Sequence, residues 1–125
     1  MILLYVALGS ALGGVSRFLL GGFVQTRAGT TFPVGTLAVN VTGAFLLGYL
    51  TRNFSVEAGS SPETRALLTA GFCGGYTTFS TFSVETLQLF EQGSWAKGGA
   101  YAAASVVLTL AAAVGGVMLA RAMAE

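Results

Sequence analysis

Histidine and aspartate are absent from this sequence of 125 residues, and its one cysteine is Cys73. A catalytic zinc site draws its ligands from histidine, cysteine and carboxylate side chains, so few residues remain from which to build one. A cysteine nucleophile would lack its usual histidine base, and a lone cysteine cannot form a disulfide within the chain. These absences argue against an enzyme.

Charged residues are also scarce, at 9% of the chain, whereas soluble domains carry about 25%. With a net charge of +1 the chain offers no basic face, and we therefore expect no nucleic-acid partner. Hydrophobic residues make up 54%, and the mean hydropathy is +0.74. The composition predicts a small multi-pass membrane protein, surrounded by lipid, with residues 1–125 forming a single transmembrane domain. We expect it in a bacterial cell membrane.

Four segments are apolar enough to cross a membrane, which takes about 20 mostly apolar residues. They run from about Ile2 to Val24, Val34 to Thr51, Thr64 to Phe90 and Gly98 to Ala120. We expect the first to be a retained helix, because Arg17 follows its apolar run, whereas a secretory signal has its basic residues first. Ser61 followed by Pro62 is typical of a capped helix start. The sequence thus predicts an all-α membrane protein with four transmembrane helices.

The third segment is interrupted at residues 71–83 by GFCGGYTTFSTFS, in which glycines precede hydroxyls alternating with aromatic rings. At membrane depth, non-helical backbone is tolerated only where protein buries it or where it lines a wet cavity. Transporters hold ions at such broken helices near the bilayer midplane. We therefore expect a helix that is broken at mid-membrane by a glycine turn, in a transport protein.

Polar residues within the apolar segments allow two interpretations each. Asn40 either bonds a neighbouring helix, for about 0.6 kcal/mol, or donates to a permeating anion. Tyr101, Ser105 and Thr109 recur every four residues on one helix face, where they line a path or bond their own helix carbonyls. The other glycine-rich helix faces favour close helix packing.

A second polar face follows the interruption. Glu85 is the acid expected within a membrane segment and is a functional hypothesis by default, unless it lies near the interface with water or Tyr101 as its partner. Phe79 and Phe82 share a face, either as core packing or with their positive ring edges turned toward an anion.

The basic residues divide equally between the two membrane sides: Arg17, Arg27 and Lys97 on one, and Arg52, Arg65 and Arg121 on the other. The positive-inside rule then selects no orientation. Either other features of the chain set a weak preference for one orientation in the membrane, or the chain inserts in both orientations. An antiparallel pair would recreate the inverted repeats of larger transporters.

Residues 35–50 around Asn40 and GFCGGYTTFSTFSVE at residues 71–85 together resemble the Fluc fluoride channels, also known as CrcB proteins. The resemblance implies an antiparallel, dual-topology homodimer that exports cytoplasmic fluoride passively through two pores and confers fluoride resistance. It also implies a structural sodium ion at the dimer centre, held by the backbone carbonyls of Gly74 and Thr77.

The resemblance further assigns pore residues by position. Phe79 and Phe82 match the pore phenylalanines, and Asn40 matches the pore asparagine. The hydroxyl track comprises Ser80, Thr81, Tyr101, Ser105 and Thr109, Glu85 is the acid beside it, and Arg17 is the vestibule arginine.

Two other classes of protein remain open from the residues alone. A small multidrug-type, proton-coupled antiporter would need a membrane-embedded acid, usually in its first helix, and this first segment has none. A non-transporting assembly subunit would explain the glycines but not the hydroxyl and aromatic motif.

Overall fold

The computed structural model describes residues 1–55 and 57–124, and in these ranges the chain is organised as helices joined by short connections. Helix α1 is Ile2–Ala28, and α2 is Val34–Asn53. The next helical run, 62–76, is α3: one α-turn at Pro62–Arg65, a π-helix at Ala66–Cys73 and a last turn at Gly74–Tyr76. Helix α4 is Phe79–Glu91, and α5 is Trp95–Ala124.

Local capping residues set the helix ends. Ser61 Oγ accepts a hydrogen bond from the Thr64 amide at 3.1 Å, with Pro62 at the first helical position, as the sequence predicted. Helix α1 runs past Val24 and stops only where Gly29 takes a left-handed conformation, with φ of 61°. Hydropathy marks the lipid-embedded part of a helix, whereas the helix itself continues until a residue such as this glycine ends it.

Three helices, α1, α2 and α5, are long and apolar enough to cross a membrane by themselves. The 13 residues of α4 extend only about 20 Å, less than the hydrocarbon thickness of about 30 Å. Helices α3 and α4 therefore make the third crossing together, as two half-helices. The predicted break in the third segment is confirmed.

The predicted glycine turn is wrong. Gly71 lies in the π-helix, and Gly74 and Gly75 lie in the last turn of α3. The extended residues are Thr77, with φ −89° and ψ 158°, and Thr78, with φ −149° and ψ 117°. Gly71 and Gly75 serve close packing instead: a Cβ on Gly75 would collide with the backbone of Ser10 in α1, whereas a Cβ on Gly74 would meet no close neighbour.

Glycine seams hold the helices in close pairs. A Cβ on Gly13 would collide with the backbone of Phe72, so α1 packs directly on α3. A Cβ on Gly116 would meet the Phe45 carbonyl, so α5 packs directly on α2. Small residues allow such backbone contact between membrane helices. This confirms the packing interpretation for these glycines.

The outward faces of α1 and α5 expose large apolar side chains, including Leu3, Leu12, Phe18, Val107, Leu110 and Met118. Water would penalise so much exposed apolar surface. Lipid favours it, in agreement with a membrane protein.

Candidate functional site

A side-chain clasp between α2 and the break in the third crossing is the central feature of the site. Asn40 Nδ2 donates to the Thr78 carbonyl at 3.0 Å, and Asn40 Oδ1 accepts from the Thr78 amide at 2.8 Å. In a continuous α-helix the Thr78 amide would donate to the Gly74 carbonyl, four residues earlier. Because it donates to Asn40 instead, α3 ends at this point. Asn40 thus makes the hydrogen bonds within the protein that the first interpretation expected, and donation to an anion stays a prediction.

Thr78 also begins the second half-helix. Its Oγ1 accepts from the Thr81 amide at 3.1 Å, which makes Thr78 the N-cap of α4. The Thr81 amide is therefore unavailable to the Thr77 carbonyl. The clasp and this cap together remove the α-helical donors of two carbonyls, those of Gly74 and Thr77.

Arg17 reaches the break from α1. Its Nε donates to the Gly75 carbonyl at 3.3 Å. A cation near the last carbonyls of a helix interacts favourably with the helix dipole. Arg17 therefore lies at the C-terminal end of α3, half-buried.

A cavity of about 300 Å³ opens beside the clasp, and we call it the Asn40 cavity. It brings together six residues that the sequence singled out: Asn40, Thr77, Phe79, Phe82, Ser105 and Thr109. The rest of its lining is Ala44, Leu47, Thr78 and Val106. No lining residue carries a charge, so this cavity offers an ion only dipoles and rings.

A second cavity, of about 240 Å³, also has Thr78 in its lining, and we call it the Arg17 cavity. Its polar lining is Arg17, Gln25, Thr36, Thr78, Thr81 and Glu85. Glu85 also lines a third cavity of about 180 Å³, together with Thr31, Pro33 and residues near the end of α4. The predicted site residues thus fall into separate cavities, and Thr78 lines both the Asn40 cavity and the Arg17 cavity.

Tyr101, Ser105 and Thr109, the polar stripe on α5, do not all bond their own helix carbonyls, and they do not all line the Asn40 cavity. Thr109 Oγ1 bonds back to the Ser105 carbonyl at 2.6 Å, as expected of a helix hydroxyl. Tyr101 is fully buried, and its hydroxyl donates to Glu85 Oε1 at 3.1 Å. Within residues 1–55 and 57–124 the buried Ser105 Oγ has no hydrogen-bond partner. Ser105 is therefore the stripe residue whose hydroxyl the described chain leaves without a partner.

The two phenylalanines belong to an aromatic row. The ring centroids of Phe79 and Phe82 are 5.5 Å apart, and those of Phe82 and Tyr101 are 5.2 Å apart. Phe79 is 79% exposed, so the described chain does not bury it in a core. Its ring is available to a second molecule or to lipid.

The structure does not test the role predicted for Ser80, and sequence reasoning missed two residues that line these cavities. Ser80 is exposed, lines neither the Asn40 cavity nor the Arg17 cavity, and has its Oγ 3.4 Å from Thr78 Oγ1. Thr78 and Gln25 were not singled out. A threonine directly before a helix is a standard N-cap signal that could have identified Thr78, whereas no local signal marks Gln25.

The chain matches known proteins over almost its whole length. A family described as "CrcB-like protein, Camphor Resistance (CrcB)" matches residues 4–117. A Rhizobium meliloti protein named "Fluoride-specific ion channel FluC" is 49% identical over 121 residues, covering 97% of each chain. Proteins of the same name from Citrifermentans bemidjiense and Nitrobacter winogradskyi are 49% and 44% identical, covering 97% and 95% of this chain and 98% and 94% of their own.

The clasp predicts a large effect of substitution at Asn40. Asn40→Leu keeps a similar volume but leaves the amide and the carbonyl of Thr78 without their partner. We expect the folding stability to fall by about 1–3 kcal/mol for each group left unsatisfied. The thermal midpoint of the purified protein, followed by size-exclusion chromatography, measures this loss.

Thr42→Val is the matched control on the same helix. It removes a hydroxyl that contacts the Tyr76 hydroxyl at 2.9 Å but pairs with no backbone group at the break. We expect a smaller drop in its midpoint. Equal midpoints for the two variants would contradict the clasp.

Proposed function

The chain belongs to the CrcB family, and from this premise we propose that it is a fluoride channel that releases cytoplasmic fluoride passively and so confers fluoride resistance. The observation that carries the proposal is the uncharged Asn40 cavity, whose lining includes Ser105, a residue whose buried hydroxyl has no hydrogen-bond partner in the described part of the chain. The relatives named fluoride-specific ion channels support the choice of ion. Passive export suits a site without a titrating group.

Neutral donors suit fluoride because this ion is small and strongly hydrated, so its water must be replaced by other donors. The Asn40 amide has two N–H groups, and one of them bonds the Thr78 carbonyl. The other N–H, the Ser105 hydroxyl and the positive edges of Phe79 and Phe82 supply the replacement. A negative-inside potential then favours anion exit by about 2.3 kcal/mol per 100 mV.

The proton-coupled antiporter gains no support. Helix α1 contains no acidic residue, and the carboxylate of Glu85 already accepts from Tyr101. The three relatives compared above share the name of a fluoride channel.

We propose further that the working unit is an antiparallel homodimer in a bacterial cell membrane, with Phe79 at or near the contact with the second copy. Two features support this. Phe79 is 79% exposed beside the Asn40 cavity, and the basic residues divide equally between the two sides. A path open along one wall is closed when a second copy covers it.

A structural sodium ion at the dimer centre completes the proposal. Among residues 1–55 and 57–124, no group of three His, Cys, Asp or Glu side chains could hold a metal. The carbonyls of Gly74 and Thr77 have lost their helical donors to the clasp and the cap, and unwound carbonyls are the ligands that transporters use for sodium. At an effective dielectric near 20, unit charges about 8 Å apart attract by roughly 2 kcal/mol. The ion would thus ease the entry of an anion.

The pore assignment predicts the behaviour of Phe79→Ile and Phe82→Ile. Each change keeps an apolar side chain and should cost about 1.5 kcal/mol of stability or less, but it removes the polarised ring edge. We expect a severe loss of fluoride efflux from liposomes, normalised to folded dimer by size-exclusion chromatography.

Phe72→Ile is the control, because Phe72 stacks on Tyr76 at 5.6 Å and lines no part of the Asn40 cavity. Its stability should fall while its flux per dimer stays normal. Near-normal flux in both pore variants would remove these rings from the path, and an inactive wild-type protein would remove the channel function.

Dual insertion predicts that several lysines added at the C-terminus will bias the population to one orientation and reduce function. Reporters fused to the C-terminus measure the orientation of each form. A single orientation of the unmodified protein would contradict dual topology.

The sodium proposal predicts that the dimer is more stable in sodium than in a bulky organic cation. Thr77→Val should preserve this difference, because the proposed ligand is the carbonyl and the Thr77 hydroxyl donates to Cys73 O at 2.9 Å. Thermal midpoints in the two salts measure it. A wild-type protein indifferent to sodium would be evidence against the site.

A further inference from the structure

Gln25, near the end of α1, makes all of its side-chain hydrogen bonds to the connection between α1 and α2 and to the start of α2. Its Nε2 donates to the Thr30 carbonyl at 2.8 Å and to the Phe32 carbonyl at 3.0 Å. Its Oε1 accepts from the Gly35 amide at 2.9 Å. The amide of one glutamine thus fixes both ends of the 29–33 connection.

The third of these bonds replaces a helix cap. The residue before α2 is Pro33, whose side chain makes no cap hydrogen bond, so the first amides of α2 need another acceptor. Gln25 supplies it to Gly35. The two bonds from Nε2 are not part of any cap, because they hold carbonyls of the connection itself.

The 29–33 connection also contacts the residues around Glu85. The Phe32 ring meets the Tyr101 ring edge-on, with centroids 5.6 Å apart at 83°. Tyr101 in turn donates to Glu85 Oε1. Thr31 and Pro33 of the same connection line the small cavity that Glu85 shares with the end of α4. The connection is therefore a wall of the opening in which the Glu85 carboxylate lies.

Gln25 also lines the Arg17 cavity directly, together with Thr81 and Glu85. Its amide has one acceptor oxygen and two N–H groups, and all of them have partners in the connection or at the start of α2. Gln25 thus forms part of the wall of the Arg17 cavity, while its amide oxygen and N–H groups are hydrogen-bonded to backbone groups of the protein.

We propose that Gln25 is a positioning residue for the ion path: it holds the 29–33 connection so that Phe32 fixes Tyr101 and, through it, the Glu85 carboxylate at the mouth of the Arg17 cavity. The proposal rests on the proposed channel function. It assigns Gln25 no contact with the ion, and its effect passes through Phe32.

Gln25→Met tests the proposal, because methionine keeps the length of the side chain and removes all three hydrogen bonds. Fluoride efflux per folded dimer should fall roughly tenfold, the change in an equilibrium that corresponds to about one net hydrogen bond. Thr26→Val, at an exposed neighbour on the same helix, is the control and should keep wild-type efflux. A Gln25→Met protein that yields less dimer but has wild-type efflux per dimer would overturn the proposal.

A second measurement follows the connection itself. Trypsin should cut after Arg27 faster in Gln25→Met than in wild type or Thr26→Val, with the dimer in detergent so that both sides are accessible. Unchanged cleavage at Arg27 would show that Gln25 does not hold the connection and would overturn the proposal. This readout needs no transport, so it separates failure of the positioning role from failure of the channel function.

A double variant tests the route through Phe32. Phe32→Leu alone should lower efflux, and adding Gln25→Met should lower it no further, because both changes act on the same ring. Interacting residues give such non-additive effects. Losses that multiply would mean that Gln25 acts elsewhere, which would overturn the proposed route.

Discussion

The hydrogen-bonded pair between Asn40 and Thr78 is the interaction on which the rest of the structure depends. Two half-helices meeting inside a membrane leave backbone groups without partners, and each such group costs several kcal/mol in hydrocarbon. Asn40 satisfies the amide and the carbonyl of Thr78 at once. The same interaction ends α3, and it orients the residue that caps α4.

Glycine packing brings Asn40 to the break. Gly43 lies one turn farther along α2, and a Cβ there would collide with the side chains of Thr77 and Tyr76. Helix α2 can therefore approach the break closely enough for a short asparagine side chain to reach backbone. Gly13 and Gly116 bring α1 against α3 and α5 against α2 just as closely, so backbone contacts fix the spacing of the helices that carry the cavity-lining side chains.

Sequence reasoning succeeded where the signal is local and failed where the partner is distant. Hydropathy located the three long apolar helices, α1, α2 and α5, and the segment that contains α3 and α4, and the Ser61 cap could be predicted directly from residues 61–64. The exact position of the break could not be predicted in this way. Glycine is compatible with a helix, and Asn40, which ends α3, lies 38 positions before Thr78 in the chain. For the same reason Asn40 and Phe79 were identified by type, while their division from Arg17 and Glu85 into separate cavities required the packed structure. Gln25 was missed because its partners lie in an irregular connection with no periodic pattern.

The distribution of charge around the break suits an ion that must both enter and leave. Conduction requires binding that is favourable but weak enough for release. Arg17 and Glu85 both line the Arg17 cavity, and each is bonded to a neutral group: Arg17 to the Gly75 carbonyl and Glu85 to the Tyr101 hydroxyl. The Asn40 cavity keeps only the amide, hydroxyls and ring edges. A fixed positive charge in its place would hold a small anion too tightly, whereas donors of this kind replace water without trapping the ion. The absence of charge from this lining is therefore as much a part of the proposed mechanism as the donors themselves.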